Sequence, residues 1–127
     1  VIEHVPNIIK AFLHWNDIIK PGGIVFMIFP KRDALESDAC RPITPLAEFI
    51  SHYENNVDVY THPGTEPGNY GQHFHVFDLR SMLRAILWAN KHLNLGWEIL
   101  ITEETDSKVG NGHTIIARTS SDHGSSR

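Results

Sequence analysis

Cysteine is almost missing from this chain, with Cys40 alone in 127 residues. One thiol closes no internal disulfide, so packing has to hold the fold, and the pattern suits a reducing compartment. No activating pattern lies beside Cys40, which reads as a passive loop residue. Long apolar runs are missing too. No stretch approaches the ~18 consecutive apolar residues of a membrane-spanning helix, and the first residues lack the basic region and apolar core of a secretory signal. Positive charge is in short supply, with 11 Lys and Arg against 15 Asp and Glu and a formal net charge of −4. Such a balance sets up no field to gather a phosphate backbone, which argues against nucleic acid as a partner. The expectation is a soluble, cytoplasmic protein without membrane or nucleic-acid partners.

What is present is a chain with 41% hydrophobic residues, enough for one domain with a real core and too little for two. Asn7 is placed to cap a helix in which Ile8, Phe12, Trp15 and Ile19 recur at helical spacing, widened by Ile9 and Leu13. Lys20-Pro21-Gly22-Gly23 stops that helix, because proline forbids continuation and glycine supplies positive φ. The run IVFMIF at 24–29 is apolar throughout and rich in β-branched and aromatic residues, which suits a strand covered on both faces. Residues 31–43 turn charged and irregular, as a loop at a strand end does. Thr44-Pro45 reads as cap and first residue of a short helix with Leu46, Phe49, Ile50 and Tyr53 on its apolar face. Residues 55–72 hold three glycines and two prolines and read as a long excursion. Asp78 caps a further helix whose face carries Leu79, Met82, Leu83, Ile86, Leu87 and Leu93, ended by Asn94 and Gly96. Two strands follow, at 97–103 and 113–118, with a polar connection containing Gly110-Asn111-Gly112, and they most simply form an antiparallel hairpin. The tail SSDHGSSR has little to bury and reads as disordered, leaving 1–119 as the domain and 120–127 as the tail.

A parallel α/β sheet finished by an antiparallel hairpin is an unusual order. Together with Ile2-Glu3-His4-Val5, a helix of fitting length, Ile19-Lys20-Pro21-Gly22-Gly23 and an all-apolar strand, it resembles the carboxyl-terminal half of a class I S-adenosylmethionine-dependent methyltransferase, over residues 1 to about 118. RPITPLAEFI and HFHVFDLRSM also look like a bacterial branch that methylates small or sugar-linked acceptors. The resemblance implies an α/β fold, a partial Rossmann-like sheet with the fifth strand next to the terminal hairpin in the order 5-7-6, and flanking helices. The superfamily holds its cofactor mainly in its first half, through a glycine-rich turn after the first strand and an acidic residue that bonds the ribose hydroxyls. Neither is found here, since Gly22-Gly23 follow a helix and Gly110-Asn111-Gly112 lie in a hairpin. The expectation is therefore that VIEHVPN leaves the fourth strand of a larger sheet, that S-adenosylmethionine belongs to the parent enzyme, and that this chain binds none and is inactive alone.

Methyl transfer from a sulfonium needs an acceptor held in line and, for a hydroxyl or ammonium, a proton removed. By resemblance, Glu3 and His4 lie at the sheet's carboxyl edge beside the transferable methyl, as catalytic and cofactor-binding candidates. The imidazole of His4 suits a general base at neutral pH, and the plain alternative is that His4 caps or packs under the following helix. Lys31, Arg32 and Arg41, with Asp33 and Asp38, are placed to face the acceptor, Arg41 through paired bonds to a carboxylate or phosphate; a solvated loop of mixed charge is the alternative. His73 and His75 point to one side if extended, with His52, His62 and Asp78 near in sequence, so they read as acceptor contacts, as metal ligands without a third ligand at fixed spacing, or as structural residues.

Three readings remain open on the sequence alone: part of a methyltransferase, a metal-binding protein or small metalloenzyme built on His73 and His75, and a non-catalytic interaction module on a methyltransferase scaffold. The first carries a physical corollary. The strand at 24–29 lacks one neighbour of the parent sheet, and an unpaired edge flanked by apolar side chains invites another copy or the missing half. A homodimer through this edge or the adjoining helix face is the expected partner.

Overall fold

The structure is a computed structural model, and it describes residues 5–30, 43–58, 60–61, 77–105 and 112–120. Its elements in chain order are helix α1 (Ile8–Ile18), strand β1 (Ile24–Pro30), helix α2 (Leu46–Glu54), helix α3 (Leu79–Leu93), and strands β2 (Glu98–Glu103) and β3 (Gly112–Arg118). The fold class is α/β, and among the described residues there are three helices and one three-stranded antiparallel sheet. Across the sheet the order is β1-β3-β2. The hairpin's returning strand is thus inserted between its partner and β1, which is the order in which fifth, seventh and sixth strands stand in the expected sheet.

Helix α1 begins where Asn7 Oδ1 accepts from the backbone N–H of Lys10 at 3.2 Å. Asn7 does more than cap. Its Nδ2 donates to the carbonyls of His52 and Val57, at 3.0 and 3.2 Å, and so pins the start of α1 to the end of α2. At the other end of α1 the two glycines of the turn answer different needs. Gly22 holds φ at +74°, which favours glycine. Gly23 has an ordinary φ, but a Cβ there would come within 2.7 Å of the Lys20 carbonyl oxygen. The turn delivers the chain directly into β1, and Thr119 N–H donates to the Gly23 carbonyl at 2.8 Å, continuing the ladder past the strand's start.

Helix α3 starts with a reciprocal cap. Asp78 accepts from the Ser81 backbone N–H at 2.7 Å, and the Ser81 hydroxyl oxygen accepts from the Asp78 N–H at 3.0 Å. It ends at Asn94 in the left-handed region, φ 54°. Its buried side is made by Leu79, Met82, Ala85, Ile86 and Ala89. Leu87, expected on that side, is 55% exposed, because it stands about 100° around the helix from Ile86, away from the arc of Leu79, Met82, Ala85 and Ala89. Helix α2 begins one residue later than expected, with Pro45 and not Thr44 at the cap position.

The helices meet the sheet through one hydrophobic core, in which Ile8, Ile9 and Phe12 of α1, Phe49 of α2 and Met82 and Ile86 of α3 enclose Val25, Met27 and Phe29 of β1. Phe77 links two layers, lying edge-on to Phe29 at 5.9 Å and stacked on Phe49 at 5.6 Å. A further buried polar bond runs from Trp97 Nε1 to Asn16 Oδ1 at 3.0 Å, with Asn16 almost wholly buried. Among the described residues no helix is long and apolar enough to cross a membrane.

Candidate interaction surface

Strand residues alternate between two faces. In β1, Val25, Met27 and Phe29 point to the helices and are buried, while Ile24, Phe26 and Ile28 are 52%, 62% and 41% exposed. The expectation that this strand is covered on both faces therefore holds for one face only. The helical residues that reach the core are packed against Val25, Met27 and Phe29, and the opposite row is left to solvent. The register carries the apolar row across the sheet, since Phe26 stands opposite Ile116 and Ile116 opposite Ile101, itself 51% exposed.

The free side of β1 adds a second feature. Between this edge and α1 runs a groove of about 500 Å³, floored by Trp15 and Ile19 and walled by Ile24, Phe26 and Ile28. The side chains that line it are apolar, and about a quarter of its surface is polar. The groove arises locally: the turn at Pro21–Gly23 folds β1 back alongside α1, and Trp15 and Ile19, one helical turn apart, line up under the strand edge. Strands lie ~4.8 Å apart in a sheet, so an extended segment beside β1 would rest on these two side chains.

The far edge of the sheet is built differently. Strand β2 carries Glu98 and Glu103 at its ends and a register shift between Ile99 and Ile101. Glu98 also approaches Arg118, with Oε1 and Nη1 3.5 Å apart on an exposed surface. Charge and irregularity are the usual devices that keep a strand edge from recruiting others. The described part of β1 before Pro30 has neither.

Among the described residues, His113 lies near the carboxyl end of β1. His113, opposite Phe29 on β3, is buried, its ring 5.4 Å from that of Phe29. Its Nδ1–H donates to the Glu104 carbonyl at 2.7 Å, and the Glu104 carboxylate lies 3.7 Å away. This bond leaves Nε2 as the acceptor nitrogen in the neutral ring. A smaller hollow of about 110 Å³ lies where α2 and α3 begin, between Thr44, Leu46, Arg80 and Arg84. The two carboxylate and hydroxyl groups nearest it, Asp78 and Ser81, are occupied with each other in the cap.

The residues expected from sequence to carry chemistry, Glu3, His4, Lys31, Arg32, Arg41, His73 and His75, all lie outside the described residues, as do His62, Asp33, Asp38 and Cys40. Two sequence neighbours of the proposed histidine pair are described: His52 is buried in α2, and Asp78 is the cap of α3. Burial lowers the His52 pKa below its ordinary value, with Glu48 opposing the shift. Among the described residues no group of three or more His, Cys, Asp or Glu could hold a metal ion. Sequence reasoning missed His113 and Asn16. A signal existed for Asn16, a polar residue one turn beyond Phe12 on the stripe that packs inward, but nothing marks its partner.

Comparison with protein-family models, with curated proteins and with solved structures found no match.

Proposed function

We propose that this chain is the carboxyl-terminal portion of a class I S-adenosylmethionine-dependent methyltransferase acting on a small-molecule oxygen or nitrogen acceptor, and that it is inactive alone. The observation that supports this reading is the pairing of strand order with one-sided cover. The sheet runs β1-β3-β2 and all antiparallel, as the 5-7-6 end of such a sheet does, while β1 keeps an unpaired edge and an apolar outer row among the described residues. In a complete fold of this kind a fourth strand and further helices take those two places.

The described residues do not themselves form a nucleotide cradle. A cradle needs glycines between a strand and the helix after it, so that backbone N–H groups reach the ligand. Here Gly22 and Gly23 lead from a helix into a strand, Gly96 follows a helix, and Gly112 opens β3. No step of methyl transfer is therefore assigned to these residues. Their contribution is structural, a platform of three strands backed by helices.

Two measurements test the reading together. Calorimetric titration of the chain with S-adenosylmethionine should give no saturable heat below millimolar concentration. A longer product of the same reading frame, carrying a glycine-rich strand-turn-helix segment upstream, should bind the cofactor and transfer label from it. Tight binding by the present chain, or an upstream frame without such a segment, refutes the proposal.

A further inference from the structure

We infer that the free edge of β1 pairs with the same edge of a second copy, antiparallel and centred near Met27, so that two three-stranded sheets become one. The inference concerns this chain by itself and uses only the groove, the edge and the exposed row; in a longer methyltransferase the fourth strand would occupy the same edge and exclude the second copy.

Three observations favour a second copy over other occupants. The first is self-complementarity. Antiparallel pairing about Met27 sets Phe26 opposite the partner copy's Ile28 on the outer face and Val25 opposite its Phe29 on the inner face, like surface against like. Seven residues, Ile24–Pro30, are available for the ladder, and none is charged. The second is the contrast between edges. Head-to-tail pairing of β1 with a neighbour's β2 would meet Glu98, Glu103 and the irregularity between Ile99 and Ile101. Pairing of β1 with β1 avoids all three and uses up the unguarded edge of both molecules, giving a closed two-fold dimer instead of a growing filament.

The third is apolar exposure. Ile24, Phe26 and Ile28 are 52%, 62% and 41% exposed, and pairing at the edge sets Phe26 and Ile28 beside apolar side chains of the other copy while the outer face stays open to solvent. The area so buried is below the ~1,200–2,000 Å² of a stable specific interface. It fits a reversible dimer whose population depends on concentration, and it is too small for an obligate one.

Sedimentation velocity from low to high micromolar concentration reads the assembly, and amide hydrogen exchange of β1 reads its location. The expected result is a monomer–dimer equilibrium in which exchange of the outward amides of β1 slows as the dimer forms. Phe26→Lys places a charge on the exposed row and should weaken the dimer at least ~tenfold, the effect of about 1.4 kcal/mol, with circular dichroism unchanged. Should Phe26→Lys fold poorly, Ile24→Lys serves the same purpose at the other end of the row. Leu87→Lys, on the exposed side of α3, should leave the equilibrium as it is. A monomer at every concentration overturns the inference. So does an assembly that Phe26→Lys does not weaken, one that Leu87→Lys abolishes, or growth beyond two copies. Because the cofactor titration is read on the same sample, failure here and failure of the methyltransferase reading are seen separately.

Discussion

Replacing Asn7 by aspartate separates two roles that the native side chain combines. As a helix cap, aspartate is as good as asparagine, so a residue that only capped α1 would tolerate the change. Asn7, however, is buried, and its Nδ2 donates to the carbonyls of His52 and Val57 while its Oδ1 accepts from Lys10 N–H. Asn7→Asp keeps the acceptor, removes both donors and points a carboxylate oxygen at two carbonyl oxygens. The Val57 carbonyl loses its donor, at about 1 kcal/mol or more, the His52 carbonyl keeps the Val57 N–H at 2.9 Å, and the carboxylate adds desolvation and repulsion. The expected loss is roughly 2–4 kcal/mol. Asn7→Ala loses the cap as well, about 1 kcal/mol, but adds no charge, so it should be no worse. Urea unfolding followed by tryptophan fluorescence and by circular dichroism gives the difference, provided that the two probes coincide. The introduced carboxyl, disfavoured in its charged form, should titrate above the ordinary carboxylate range when folded. The loss then deepens as pH rises through that value and is smallest in acid. If Asn7→Asp unfolds within ~0.5 kcal/mol of the native chain near neutral pH, the bonds to His52 and Val57 do not bear on stability and the reasoning fails.

Other outcomes follow from the same structure. Asn16→Ala leaves the Trp97 indole N–H without its partner and should cost ~1–3 kcal/mol; Asn16→Ala combined with Trp97→Phe should lose less than the two single changes added, measured as a double-mutant cycle in urea. Gly23→Ala forces a Cβ against the Lys20 carbonyl oxygen and should lower the thermal midpoint clearly, whereas Asn94→Gly relieves a left-handed residue and should leave it equal or slightly raised. His52 has its pKa lowered mainly by burial, so the folded state binds fewer protons than the unfolded one. Its contribution is present above the unfolded value near 6.5 and is lost as pH falls through the lowered folded value. His52→Gln should flatten the thermal midpoint over that window, and an unchanged slope would show that His52 does not titrate on unfolding.

Elements whose signal is local were readable before the structure. Asn7, Pro21-Gly22-Gly23, Asp78 and Asn94 each act on the residues beside them, so the boundaries they set were recovered within a residue or two. The strand order came from resemblance and not from periodicity, because alternation in β3 says nothing about which strands flank it. The interior was harder to read. Leu87 reads as a core residue by its distance from Leu83, but the buried arc runs through Met82, Ile86 and the small residues Ala85 and Ala89, which mark it only weakly. The run at 24–29 is apolar on both faces, and the sequence alone does not say that one of them lacks a cover. Asn7 was recognised by the bond to its neighbour in sequence and not by the two bonds made to residues far along the chain.

Strand β3 sits between β1 and β2, yet it follows both in the chain, and Ile24 finds its partner only when Arg118 is in place. Neither of these two strands touches the other, so β1 and β2 do not join one sheet until β3 arrives between them. Until then the hydrophobic residues of β1 lack the ladder that β3 supplies. Synthesis of this protein therefore passes through a prolonged stage in which a sticky segment waits, and that wait favours holding by chaperones and slow, late closure of the fold.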